Sequence, residues 1–195
     1  MNEKLGKISR LLSHILRHDS RNNFDERGFM KVSELFLNYS LLPLINDEIE
    51  TIVRCDGKKR FDLNIIDGDY FIRANQGHSK KVGYLLNDNL MYEEIRVPMK
   101  FCLHGTNHKN LMSILENGLH TMNRKHIHFI GGTPTSLRCE QISGFRNDST
   151  IIICIDMKKC LEANMKFYIS SNGVILTQGI NERIDPSFFT SVQII

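Results

Sequence analysis

Six short groups of residues in this 195-residue chain have types and spacings that could carry chemistry. Arg17-His18 closes a leucine-rich stretch, and Lys58-Lys59-Arg60-Phe61 sets two cations two residues apart. On a strand that reaches back to Lys58, Lys58 and Arg60 share a face, and such a pair can hold a phosphate. Ile72-Arg73-Ala74-Asn75-Gln76-Gly77-His78-Ser79 gathers donors around one glycine and is too polar for a core. His104-Gly105-Thr106 follows an expected strand and precedes a helix; glycine there admits a ligand to the backbone, and a helix N-terminus offers donors to a pyrophosphate. In Arg124-Lys125-His126-Ile127-His128-Phe129, strand geometry puts His126 and His128 on one face. The last group, Ser171-Asn172-Gly173-Val174-Ile175-Leu176, is a turn entering a strand.

Each group alone also has a plainer reading. Arg17 and His18 fit a solvated helix end, where cations face the C-terminal dipole. Lys58 and Arg60 fit a basic edge strand, residues 72–79 a hydrophilic loop, and His104 to Thr106 a strand, turn and cap. A zinc site from His104, His126 and His128 finds no carboxylate pair or cysteine cluster to support it.

The elements that must position these groups follow from periodicity. Residues 3–18 form a helix with Leu5, Ile8, Leu11, Leu12, Ile15 and Leu16 on one stripe, Arg17 nearly opposite and His18 at its edge. A short strand at Phe29 to Val32 precedes helical stretches near 33–40 and 47–55. Residues 60–64 alternate, with Phe61, Leu63 and Ile65 on one face, and Asp67-Gly68 turns the chain into a returning strand at Tyr70 to Arg73. That order, helices and then a hairpin, is the order of a winged-helix domain. Residues 80–98 have no strong period and form the crossing to a second lobe. Beyond Pro98 come a strand at Lys100 to Leu103 and a helix that buries Leu111, Ile114 and Leu115 and is capped by Gly118. Short strands then fall at 126–129, 151–155, 167–170 and 173–176.

Composition sets bounds. Hydrophobic content of 41%, charged content of 24% and a net charge of +3 describe an ordinary, mildly basic globular protein, which permits an anionic partner without demanding one. Cys55, Cys102, Cys139, Cys154 and Cys160 form no C-x-x-C pair, so neither a disulfide framework nor a thiolate metal site is indicated. The start, Met1-Asn2-Glu3-Lys4, leads into an amphipathic stretch, and no apolar run reaches the roughly 18 residues of a membrane span. We expect no membrane association and a reducing compartment: the cytoplasm, or also the nucleus in a eukaryote. With no heptad or long apolar edge, a monomer is expected.

Order and spacing, from about residue 5 to about residue 187, make the chain resemble the NAD⁺-dependent RNA 2′-phosphotransferases. The resemblance implies an α+β chain, with a winged-helix-like lobe binding RNA phosphate over residues 1–95. An ADP-ribosyltransferase-like, β-rich lobe binding NAD⁺ would follow over 96–195, with the active site in the cleft between. Four essential cations match Arg17, Lys58, Arg60 and Arg124. NAD⁺ contacts carry over onto His104, Gly105, Thr106 and His128, and substrate contacts onto His18, Arg73, Gln76, His78 and Ser79. No metal is implied.

The implied reaction has two steps. An internal RNA 2′-phosphate, such as one at a tRNA splice junction, attacks C1″ of the nicotinamide ribose and expels nicotinamide. The 2″-hydroxyl then attacks the phosphate, releasing 2′-OH RNA and ADP-ribose 1″,2″-cyclic phosphate. A transferase that stops after the first step, or an inactive RNA- or ADP-ribose-binding module, is the rival reading; four retained cations argue against the inactive module. The chain departs from the family where Phe29 and Ile175 replace frequent tryptophans, and where Gly144-Phe145-Arg146-Asn147 does not reproduce a common bacterial Gly-x-Arg-His-Gly stretch.

Overall fold

A computed structural model describes residues 3–39, 46–132 and 148–195 and divides the chain into two compact units, Met1–Met91 and Tyr92–Ile195. The fold is mixed α+β: helices with a small sheet in the first unit and a larger antiparallel sheet in the second.

In the first unit, α1 (Glu3–His18) is held by its amphipathic face. Leu5, Leu12, Ile15 and Leu16 are buried, and so is Ser9, whereas Leu11 is 40% exposed. At about 100° per residue Leu11 lies more than a quarter-turn from Leu5, Leu12 and Leu16, so the expected stripe is corrected at that border. β1 (Met30–Lys31), α2 (Val32–Asn38) and α3 (Asn46–Arg54) follow, and Leu35, Ile49 and Ile52 complete the core against α1. β2 (Phe61–Ile66) and β3 (Asp69–Ala74) form the expected hairpin, in the sheet order β1-β3-β2. Asp67 and Gly68 both have positive φ, the backbone a tight primed turn requires. Ile65 is half exposed because the hairpin tip runs beyond the core. The stretch with no strong period holds two one-turn helices, α4 (Lys80–Gly83) and α5 (Asp88–Met91).

The second unit begins with β4 (Glu93–Ile95), which pairs at the edge of a seven-stranded sheet. Its other elements are β5 (Leu103–Thr106), α6 (His108–Asn117), β6 (Leu119–His120), β7 (Ile127–Ile130), β8 (Ile151–Ile155), α7 (Met157–Glu162), β9 (Phe167–Ile169), β10 (Val174–Thr177), β11 (Arg183–Ile184) and β12 (Phe189–Ile194). The antiparallel order is β12-β8-β5-β7-β10-β9-β4, with β6 and β11 a separate pair. β7, β8 and β10 are almost wholly buried runs, as central strands covered on both faces must be. The strand expected at Lys100 to Leu103 instead runs from Leu103 to Thr106, because His104, Gly105 and Thr106 pair with Ile153, Ile152 and Ile151. On α6, Leu111 and Ile114 pack on the core while Leu115 is 42% exposed. Gly118 caps that helix at φ +82, its N–H donating to the Ile114 carbonyl. Among the described residues no helix is long and apolar enough to cross a membrane.

Candidate functional site

In the first unit the chemistry-bearing groups lie on turns, and hydrogen bonds to backbone hold them. Arg17 occupies the last turn of α1, and its carbonyl accepts the Ser79 N–H at 2.8 Å. This bond docks the 75–79 loop on the helix end. Gly77 has φ +89, and a Cβ there would meet Arg17 Nε at 3.3 Å, so the missing side chain leaves room for the guanidinium against the loop. His18 is exposed, its ring 5.2 Å from that of His14. Just beyond, hydrogen bonds from Arg21 and then Tyr39 hold the Asp19 carboxyl well below the usual carboxylate range.

The Lys58-Lys59-Arg60 group is a turn rather than a strand extension, which corrects the premise that Lys58 and Arg60 share a strand face. β2 starts at Phe61, and Lys59 is left-handed at φ +46. The cause is Asp56, whose carbonyl accepts the Lys59 N–H at 2.8 Å. Its buried carboxylate accepts both the Arg60 N–H and Arg60 Nη1. Asn75 then ties turn to loop: its N–H donates to the Arg60 carbonyl at 2.8 Å and its Nδ2 to the Lys59 carbonyl at 2.9 Å. Arg17, residues 58–60 and residues 75–79 therefore form one constellation, although they are far apart in sequence.

The other residues of the polar run have structural partners. Arg73 pairs with Asp62 across the hairpin (2.7 Å), bonds the Arg27 carbonyl and lies 4.7 Å from the Phe29 ring centroid. Gln76 and His78 are buried, and Ser79 Oγ caps α4 by accepting the Val82 N–H. Asp56 was not singled out in the sequence, and Asn75 figured there only as one donor of the polar run, with no role of its own. Asp56 lies two residues before Lys58 and Asn75 inside the polar run, so proximity was the one signal available.

In the second unit a cleft of about 440 Å³ is lined by His104, Gly105, Thr106, Arg124, His126 and His128, together with polar residues of α6 and the following turn. That volume is in the range of small-molecule sites. His104, Gly105 and Thr106 lie within β5 rather than after it. His104 Nδ1 bonds the His128 carbonyl at 2.9 Å; a carbonyl only accepts, so Nδ1 carries the proton. The His104 ring also meets Phe129 edge-on at 5.6 Å.

β7 begins at Ile127, one residue after His126, and His126 and His128 both line the cleft. His126 precedes the strand and is buried edge-on to Tyr92, while His128 is held in the sheet opposite Leu176. Arg124 is exposed in a turn, its N–H donating to the Thr121 carbonyl at 3.1 Å. Asn107 and Ser149, also on the cleft, were missed: Asn107 Oδ1 and Ser149 Oγ are buried with no hydrogen-bond partner among the described residues. Asn107 directly follows His104-Gly105-Thr106, but nothing around Ser149 marked it. Ile175 is fully buried in β10, and residues 144–147 lie outside the described residues.

Residues 3–179 match the family model described as RNA 2′-phosphotransferase, Tpt1 / KptA family. The chain is 34% identical over 193 residues to tRNA 2′-phosphotransferase 1 of Danio rerio, covering 96% of this chain and 84% of that protein. It is 32% identical over 194 residues to the probable RNA 2′-phosphotransferase of Nostoc punctiforme, covering 97% and 98%. To tRNA 2′-phosphotransferase 1 of Homo sapiens it is 34% identical over 178 residues, covering 89% and 69%. A match over nearly the whole chain leads to one conclusion: the chain belongs to the Tpt1/KptA family of RNA 2′-phosphotransferases and is an enzyme that removes a 2′-phosphate from RNA.

Proposed function

We propose that the acceptor of the 2′-phosphate is NAD⁺ and that the two units divide the work. Met1–Met91 act as a winged-helix-like lobe that receives RNA phosphate, and Tyr92–Ile195, which include β4 at residues 93–95, as an ADP-ribosyltransferase-like lobe that receives NAD⁺. The observation that carries this reading is the gathering of Arg17 and the Lys58–Arg60 turn around residues 75–79. An internal 2′-phosphate is a dianion beside a phosphodiester, and fixed cations are what such a group requires. RNA with a phosphate at a splice junction, as in tRNA, has this chemistry.

The cleft of the second unit fits a dinucleotide. Two buried acceptors without partners, Asn107 Oδ1 and Ser149 Oγ, suit the hydroxyls of a ribose. His104, Gly105, Thr106 and His128 would hold it, with Arg124 at the same cleft as a phosphate-directed cation. NAD⁺ supplies an electrophilic ribose carbon and nicotinamide as leaving group. The protein's own part is to hold the phosphate dianion with Arg17, Lys58 and Arg60, and to stabilise charge as it spreads over the phosphoryl oxygens. His18 and Ser79 line the approach of the RNA; buried Gln76 and His78 reach it only if the 75–79 loop opens, and Arg73 only by leaving Asp62. The protein acts as a monomer and without a metal.

The test is incubation with a 2′-phosphorylated oligoribonucleotide and NAD⁺. Nicotinamide release, together with 2′-OH RNA and a cyclic phosphate of ADP-ribose, is expected. Nicotinamide release without dephosphorylated RNA would reassign the chain to single-step ADP-ribosyl transfer, and loss of the 2′-phosphate without NAD⁺ would remove NAD⁺ from the reaction.

A further inference from the structure

Asp56 spends its whole side chain on one neighbour. It is 6% exposed, and its two carboxylate oxygens accept from the backbone N–H and from Nη1 of Arg60. Burying a carboxylate is costly unless it is paired and hydrogen-bonded, so this one is committed to its partner. The Arg60 side chain is 36% exposed, and among the described residues Asp56 is the one acceptor that bonds its guanidinium, which leaves further N–H donors for a ligand. From the other side, Asn75 fixes the carbonyls of Lys59 and Arg60. Main chain and side chain of Arg60 are thus set before any substrate arrives.

We infer that Asp56 is a positioning residue for phosphoryl transfer, fixing the Arg60 guanidinium for the phosphate, with Asn75 holding the same turn. This rests on the proposed role of Arg60. Positioning also explains a cation kept beside a carboxylate. In charge alone, Asp56 weakens the attraction for RNA; in geometry, it spares Arg60 the ordering of a long side chain at each turnover. The two effects act on different constants. Removing the charge while keeping the shape should leave the KM for RNA unchanged or lower it, and should reduce kcat.

The experiment is a double-mutant cycle of Asp56→Asn and Arg60→Gln, measured in steady state and in single turnover on a 2′-phosphorylated oligoribonucleotide with NAD⁺. Expected is a fall in kcat of about 10- to 100-fold for Asp56→Asn, with an RNA KM no higher than that of the parent. In the Arg60→Gln background the same substitution should change kcat less than about threefold, because the group it positions is gone. If the two substitutions multiply, or if Arg60→Gln is slow while Asp56→Asn is not, Asp56 has no positioning role. If Arg60→Gln itself matches the parent, the role of Arg60 fails first and the inference falls with it. Should Asp56→Asn not fold by circular dichroism, Asn75→Ala in the same cycle decides on the same criteria.

Discussion

The two units build their sites by different means. In the first, Arg17, Lys58 and Arg60 sit at a helix end and on a turn, and their placement comes from a few hydrogen bonds: Ser79 to Arg17, Arg60 to Asp56, Asn75 to residues 59 and 60. In the second, His104 and His128 sit on neighbouring strands of a seven-stranded sheet, so ladder register fixes them. A site made of turns loses geometry when one polar side chain changes. A site made of register tolerates such changes and is vulnerable where backbones approach one another. The first arrangement suits cations that must meet a phosphate at defined angles, the second a cleft that must keep a shape.

The largest expected effect lies in the turn-built site. Lys58→Ala and Arg60→Gln should lower the rate of 2′-phosphate removal by about 30-fold or more, since each charge-assisted hydrogen bond is worth roughly 1.5–3 kcal/mol. The second step, in which an oxygen attacks a phosphodiester and charge builds on its non-bridging oxygens, should suffer more than the first. RNA joined through its 2′-phosphate to ADP-ribose then accumulates. Arg60→Lys should recover activity in part, because an ammonium lacks the two-pronged geometry. A time course with labelled RNA, resolving substrate, intermediate and product, checks this; substrate left untouched with no intermediate would assign the pair to binding or to the first step.

The register-built unit should break at Gly118. Its φ of 82° and ψ of −177° belong to a region that is essentially glycine's alone, and an added Cβ would overlap the Ile184 carbonyl oxygen, which belongs to the backbone and cannot swing away. Gly118→Ala should cost about 3 kcal/mol or more and lower Tm by several degrees in thermal denaturation. Unchanged Tm would show that β6 and β11, the pair that brings Ile184 there, can part without cost.

Salt should separate the two ligands. If the first unit's cations receive RNA, raising salt from 50 to 200 mM should increase the RNA KM by about tenfold, the slope for two or three phosphate contacts on a single strand. The KM for NAD⁺ should move less, because the cleft offers histidines and neutral polar groups beside one arginine. Equal salt dependence for both would erase the division of work between the units.

This difference also explains what could be read from the sequence. α1, the Asp67-Gly68 hairpin and the central strands were legible because each rests on local periodicity or on a turn dipeptide. Leu11 and Leu115 were misplaced because propensity gives a stripe its period but tertiary contacts decide its centre. The two-residue β6 and β11 and the edge strand β4 carry too few residues for a period. At the site, residue types announced the cations but not their geometry. Lys58-Lys59-Arg60 has the alternation of a strand, and the bond from Lys59 N–H to the Asp56 carbonyl bends it into a turn. No pattern of types reveals such a bond in advance.

The smallest effect, and the finest test of the comparison, contrasts two glycines of the first unit. Gly77 and Gly57 flank the same constellation, one in the polar loop and one in the cation turn. At Gly77 a side chain meets both a left-handed backbone, φ +89, and the Arg17 guanidinium at 3.3–3.4 Å. The backbone term alone costs about 1–2 kcal/mol. The contact should displace the far end of a flexible arginine rather than break the fold. Gly77→Ala is therefore expected to lose about 1–2 kcal/mol of stability and, in addition, to lower kcat by roughly three- to tenfold through Arg17. At Gly57 an added Cβ meets nothing within 4 Å and the backbone is not left-handed. Gly57→Ala should be neutral, or stabilising by a few tenths of a kcal/mol, since it restricts the unfolded chain. Paired measurements of Tm and kcat on the two variants decide the point. If Gly57→Ala is as damaging to kcat as Gly77→Ala, the turn must move during turnover, and hydrogen bonds fixed beforehand are not what place its cations.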